Sequence, residues 1–207
     1  REFLTLDELT AMTEIKLEDP NMAFARDLFI FGCWTGISFI DIKNLTEDNI
    51  CIVNGAPWIV SKRQKTGVPF QIKLLDIPIQ IIERYKSFRK DCHLFHIGDH
   101  GTINKHIKRV AAMCGIKKQV SFHVSRHSWA VLALEYGMPI ESVSKILGHT
   151  NITTTQIYAK VTSNKLDHDI SAFESRIKGH LPVIGGMVRK GQLSLWTEMG
   201  HFPFRPT

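Results

Sequence analysis

Apolar and polar positions follow two different periods along the chain. Thr5-Leu6-Asp7-Glu8-Leu9 opens a helix, with Thr5 able to cap and Glu8 at the capping-box position three residues later. Pro20 precedes a strongly apolar stretch from Met22 to Trp34, which predicts a buried helix ended by Gly36. Ile37 to Leu45 predicts a short helix with Ile37, Ile40 and Leu45 as its apolar positions. The pattern then changes to short, β-branched runs: Ile50-Cys51-Ile52-Val53, Trp58-Ile59-Val60 and Phe70-Gln71-Ile72-Lys73-Leu74. Asn54-Gly55 and Thr66-Gly67 punctuate them, the signature of a three-stranded antiparallel sheet with two hairpin turns.

Helical periodicity returns after the sheet. Pro78 starts a helix over Ile79 to Phe88, and residues 89–100 read as a loop region. Further helices are predicted at Thr102 to Cys114, Ser125 to Tyr136 and Pro139 to Leu147, each followed by a glycine. Asn151 to Tyr158 forms another short helix, and Ser163 caps a last one reaching Ile177. Residues 179–207 read as a loosely ordered or partner-dependent tail. The fold class is therefore mainly α with a small three-stranded antiparallel β-sheet. Three short strands cannot organise a domain of this size, so the sheet reads as a platform for particular side chains.

Totals narrow the picture modestly. At 207 residues the chain can bury one substantial core, or at most two small ones. A net charge of +6 and a pI near 9.2 favour a polyanionic partner without requiring one. Cys33, Cys51, Cys92 and Cys114 form no CxxC pair and read as reduced, buried thiols. No signal peptide is visible, and no apolar run reaches the ~18 residues of a membrane span. The start at Arg1-Glu2-Phe3, without Met, reads as that of a fragment whose N-terminal part lies elsewhere.

Four stretches carry candidate chemistry: His123-Val124-Ser125-Arg126-His127 just before a helix, Leu147-Gly148-His149-Thr150 at a helix end, Thr154-Thr155-Gln156-Ile157-Tyr158, and Lys65-Thr66-Gly67 in the second hairpin turn. Singly, each has an ordinary structural explanation: a packed histidine, a helix C-cap, a half-buried tyrosine, a hairpin turn. Together they match what phosphodiester cleavage without a metal requires. A nucleophilic oxygen attacks phosphorus, and negative charge grows on the non-bridging oxygens. Arginine meets that charge with a planar, permanently protonated fork. A histidine donates or accepts a proton near neutral pH. A lysine can protonate the departing 5′ oxygen. Tyr158, Arg126, His123, His149 and Lys65 supply that set.

The linked set resembles the boxes of tyrosine recombinases of the lambda integrase family: HxxR at His123 to Arg126, LGH at His149, then Tyr158, with a hairpin lysine earlier. Thr35-Gly36-Ile37-Ser38-Phe39-Ile40-Asp41 is similar to the first box, TGxRxxE or TGxRxxD, and the likeness runs from about Leu4 to Phe173. Arg63-Gln64-Lys65-Thr66-Gly67 and Asp41-Ile42-Lys43-Asn44-Leu45 resemble integrases of Bacteroides-type mobile elements. The resemblance implies the DNA breaking-rejoining fold over residues 1–178, with the tail at 179–207 and a core-binding domain lying outside the chain. It implies that Tyr158 forms a 3′-phosphotyrosyl bond, that Lys65 protonates the leaving 5′ hydroxyl, and that Arg126 clamps the phosphate with His123 and His149. Neither ATP nor a metal cofactor is called for. Implied partners are double-stranded DNA, other protomers in a tetramer on it, and accessory DNA-bending proteins, in the cytoplasm at the nucleoid and not at a membrane. A helix after the tyrosine, with Ser171, Phe173 and Ile177, docks on a neighbouring protomer or packs on its own domain.

One position departs from the pattern: Ser38 stands where the first box has Arg. Losing one preorganised charge-stabilising donor costs ~3–4 kcal/mol in a barrier. Arg63 is the candidate substitute, since a strand places it on the face of Lys65, two residues on. The alternative is a catalytically impaired DNA-binding homologue. Lys43, Lys62, Lys105, Lys108 and Arg109 are candidates for phosphate contacts, and equally for a solvated face. Asp91-Cys92-His93 with His96 makes a poor metal ligand set. A type IB topoisomerase-like enzyme would share the phosphotyrosine chemistry, but the first-box and LGH wording favours a recombinase.

Overall fold

A computed structural model of the chain describes residues 2–159 and 163–177. The tail at 179–207 lies outside the described residues. The chain divides into two units between Lys165 and Leu166. The core and the site belong to the first.

Helix α1 (Leu6–Glu14) begins as its capping box requires: the Thr5 side chain accepts from the Glu8 amide, and the Glu8 carboxylate accepts from the Thr5 amide. Helix α2 (Pro20–Thr35) is the axis of the fold. Asp19 caps it and proline occupies its first position, where no intrahelical N–H is needed. Because it is apolar nearly all round, it must be enclosed, and it packs against α1, α4 (Asp76–Arg84), α5 (His100–Met113) and α6 (Phe122–Glu135). Leu28, Phe29, Ile30, Phe31 and Cys33 on it are fully buried. Of the four cysteines expected in the interior, Cys33 alone is buried; Cys51 and Cys114 are half-buried and Cys92 is exposed, because they lie on the sheet, at a helix end and in a loop and not on this enclosed helix.

Two charges lie inside this apolar helix. Arg26 donates to the carbonyls of Thr13 (3.1 Å) and Ile15 (2.9 Å), satisfying the open end of α1. Asp27 pairs with Arg26 and accepts from Arg84 and the Tyr85 hydroxyl, each at 2.7 Å. Burial, then the Asp27 carboxylate, pushes the Tyr85 phenol well above its ordinary pKa.

Gly36 ends α2 in the left-handed region (φ 65°), and a Cβ there would stand 2.7 Å from the Trp129 ring. Both the backbone and the close approach of α6 require glycine. Helix α3 (Phe39–Lys43) is shorter than the pattern suggests. The sheet has the expected order β1 (Ile50–Val53), β2 (Ala56–Lys62), β3 (Pro69–Lys73), antiparallel throughout, with Ile59 opposite Ile72. Phe70 and Ile72 alternate inward along β3.

Boundaries differ from expectation at several places: α4 ends at Arg84 and not Phe88, and the short helix predicted over Asn151 to Tyr158 covers only Thr153–Gln156. Pro78 sits within the first turn of α4, which starts at Asp76. The predicted loop at 89–100 bridges back to the fold by pairing His93 with Thr46, and α5 begins at His100 with Asp99 as its cap. Helix α6 starts at Phe122, not Ser125, so His123 lies inside a helix and not ahead of it. The reason is tertiary: the Asn104 side chain on α5 accepts from the Phe122 amide (2.7 Å) and supplies the cap. The chain continues through α7 (Ile140–Leu147), α8 (Thr153–Gln156) and α9 (Ser163–Ile177). Ile170 and Phe173 on α9 are exposed. No helix among the described residues is long and apolar enough to cross a membrane.

Candidate active site

The first turns of α6 carry His123, Arg126 and His127, at the i, i+3 and i+4 spacing that gathers side chains on one helical face. His123 is exposed, Arg126 half-buried and His127 buried. Helix α7 ends against them. Gly148 adopts φ 62° after it and turns the chain so that His149 faces Arg126.

Arg126 is held from three sides. It donates to the Gly36 carbonyl (2.8 Å), to the Leu147 carbonyl, and through Nη2 to His149 Nε2 (3.2 Å). These bonds fix the guanidinium plane. Burial, then the neighbouring Arg63, lowers the Arg126 pKa to about 10, which leaves it protonated at neutral pH. His149 is lowered to about 4, first by burial and then by Arg126 and Arg63. It is therefore neutral at pH 7. With Nε2 accepting from Arg126, its proton sits on Nδ1 and is donated to Thr155 Oγ1 at 2.8 Å.

The first-box segment meets the hairpin at Asp41. Ser38 Oγ donates to Asp41 Oδ2 (2.6 Å), Arg63 Nη1 donates to the same oxygen (2.8 Å), and the Gln64 amide takes Oδ1 (2.8 Å). Burial raises the Asp41 pKa, but the bonds from Ser38, Gln64 and Arg63 outweigh it and hold the carboxyl below its ordinary value. Arg63 also donates to the Ile146 carbonyl at 2.7 Å. Arg63 and Arg126 thus occupy consecutive carbonyls at the C-terminal end of α7, where the helix dipole favours cations. Gly148 is needed here for space as well, since a Cβ would stand 2.9 Å from Arg63 Cγ.

Arg63 and Lys65 do not share a strand face, contrary to expectation. Strand β2 ends at Lys62, and beyond it the chain turns. Arg63 is buried, 6% exposed, with its guanidinium over the Phe70 ring, whereas Lys65 is exposed in the turn.

Tyr158 follows α8 and is half-buried. Its hydroxyl lies 2.5 Å from Nδ1 of His127. His127 in turn meets the His123 ring edge to face, with centroids 4.2 Å apart. His127 and Thr155 lie within the sequence motifs, where their residue types alone assign neither a role. The i+4 spacing from His123 was the one available signal for His127; nothing in the sequence marked Thr155. Ser38, Lys43, His100, His123 and Arg126 line a common cleft. Lys43, Lys62, Lys105, Lys108 and Arg109 are all exposed. Asp91 and His93 bond to each other at 2.9 Å, and no group of metal-ligating side chains occurs among the described residues.

The fold is that of tyrosine recombinase catalytic domains. The chain belongs to the phage integrase family, whose model matches residues 2–165. It is similar to tyrosine recombinase XerD of Listeria innocua, 42% identical over 156 residues that make up 69% of this chain and 52% of that protein. Similarity to tyrosine recombinase XerC of Neisseria meningitidis serogroup B is 27% over 164 residues, 74% of this chain and 54% of that protein. The chain spans about half the length of these curated relatives. Among solved structures, XerH site-specific recombinase bound to palindromic difH substrate in a post-cleavage complex superposes with a TM-score of 0.67 at 20% identity, covering 83% of this chain and 53% of that one. A lambda integrase dimer bound to a COC′ core site gives 0.62 at 19% identity, covering 78% of this chain and 62% of that one. Both share the fold.

Proposed function

We propose that this chain is the catalytic part of a site-specific DNA recombinase that cuts and rejoins double-stranded DNA through a 3′-phosphotyrosyl bond at Tyr158. The observation that carries the reading is the convergence on one helix: α6 holds Arg126 against His149 and, through the next residue, contacts the Tyr158 hydroxyl. Tyr158 Oη attacks the scissile phosphorus. Arg126 binds the non-bridging oxygens, with His123 assisting from the same helix face and His149 fixing the guanidinium. Lys65, on its exposed turn, protonates the leaving 5′ oxygen. Bond number is conserved, so the chemistry calls for no nucleotide or metal cofactor.

Arg63 supplies the charge absent at Ser38. In support, both side chains bond the same oxygen of Asp41, and Arg63 acts electrostatically on Arg126 and His149. Lys43, Lys62, Lys105, Lys108 and Arg109 contact DNA phosphates. Residues 1–178 form the catalytic domain, further protomers complete a tetramer on the DNA, accessory DNA-bending proteins assist, and the reaction takes place in the cytoplasm. XerH and lambda integrase were both solved bound to their DNA sites, which supports DNA as the partner.

A second reading, a DNA-binding homologue with impaired catalysis, is favoured by one residue, Ser38. Covalent capture separates the two. The protein, with any native sequence that flanks this chain, is incubated in EDTA with nicked duplexes drawn from DNA adjoining its own gene and from a randomised pool. A DNA-linked band on a denaturing gel, lost in Tyr158→Phe, is the expected result. DNA retention with no band favours the impaired homologue.

A further inference from the structure

From the contact between His127 and Tyr158 we infer a catalytic role for a residue outside the recognised boxes: His127 takes the proton from the attacking hydroxyl and returns it on rejoining. The inference rests on the recombinase reading above. Nδ1 of His127 lies 2.5 Å from Tyr158 Oη, within reach for direct transfer. The phenol is a donor in its protonated form, so Nδ1 offers a lone pair and the ring proton sits on Nε2. His149 is badly placed for this task, because Arg126 occupies its Nε2 and Thr155 its Nδ1. His127 is only 5% exposed, and its position one residue after Arg126 ties the proton acceptor to the phosphate clamp through a single helical turn.

The step balances. As Oη bonds to phosphorus, its proton moves to His127 Nδ1. The P–O5′ bond breaks, its electron pair leaves with the 5′ oxygen, and Lys65 protonates that oxygen. In rejoining, the incoming 5′ hydroxyl gives its proton to Lys65 and attacks phosphorus. The P–Oη bond then breaks, and the phenolate recovers its proton from His127.

A purely structural hydrogen bond would be kept by Asn, whose side chain can meet the tyrosine hydroxyl but cannot take up a proton. His127→Asn is therefore compared with the parent for single-turnover cleavage on the nicked duplexes above. The expected result is a roughly hundred- to ten-thousand-fold slower cleavage with unchanged DNA retention. Replacing Tyr158 by a difluorotyrosine, whose phenol ionises near neutral pH, should relieve most of the loss in His127→Asn, measured against the same replacement in the parent. Cleavage by His127→Asn within a few-fold of the parent, or a loss that the acidic tyrosine does not relieve, overturns the role. A measurement on the unaltered side chain guards against misfolding of the variant. In 15N-histidine-labelled protein, the His127 Nδ1 resonance should be that of a non-protonated acceptor and should move in Tyr158→Phe. A protonated Nδ1 in the free protein overturns the inference. If the parent gives no band that Tyr158→Phe abolishes, the recombinase reading fails and this role falls with it.

Discussion

At the scale of single residues, the site is decided by which partner holds each polar group. Asp41 binds Ser38 and Arg63 at one oxygen, so the first-box carboxylate is where a missing arginine and its candidate replacement meet. Arg63→Ala is expected to slow cleavage by roughly a hundred- to thousand-fold, the loss of one charge-stabilising donor. Adding Ser38→Arg to that variant should recover part of the rate. Cleavage by Arg63→Ala at the parental rate in the covalent-capture assay removes Arg63 from the chemistry. His149 carries a pH signature. Its folded pKa of about 4 lies below the ordinary 6.5, chiefly through burial and then through Arg126 and Arg63. The unfolded chain takes up this proton first as the medium is acidified, so the stability held above pH 6.5 is lost as the pH falls towards 4. Melting temperature across that window should therefore drop more steeply in the parent than in His149→Gln.

Elements form as their local sequence dictates, but their ends are set by neighbours. The Thr5 capping box and the proline start of α2 need no tertiary help, and both stand where the sequence puts them. Helix α6 gains its first turn from Asn104 on another helix, a cap invisible to a reading of residues 121–125. The hairpin leaves strand geometry at Lys62 because the Arg63 backbone closes its own turn, accepting from Gly67 (2.7 Å) and donating to Val68 (2.9 Å). That turn is why Arg63 points inward while Lys65 stays in solvent. Within α2, Asp27 is the one acceptor shared by Arg26, Arg84 and Tyr85. Asp27→Ala strands a buried guanidinium and should cost ~3–5 kcal/mol, read as a lower denaturant midpoint with an unchanged slope.

Across the whole molecule, charge is the property that matters for a DNA partner. The net +6 is a modest excess, and its use depends on where the cations stand. Lys43, Lys62, Lys105, Lys108 and Arg109 are exposed on three different elements. If each meets a phosphate, replacing one by Ala should weaken binding alike on all DNA sequences. It should also reduce the slope of log K against log salt by about 1. A fluorescence titration across salt concentrations checks this, and an unchanged slope assigns that side chain to the solvated face.

The sequence by itself determined the order of helices and strands, the apolar axis at Met22 to Trp34, and the inventory of Tyr158, Arg126, His123, His149 and Lys65. Those features depend on periodicity, caps and residue chemistry, all of which are local. Only the tertiary structure decided who touches whom. It turned Arg63 into the fold beside Asp41, made His149 a neutral acceptor for Arg126, brought Thr155 under its other nitrogen, and set His127 against the Tyr158 hydroxyl. Each of those contacts joins residues from different elements through burial and hydrogen-bond geometry. Such pairings leave no periodic trace in the chain, because their cause is the packing of one helix end against another.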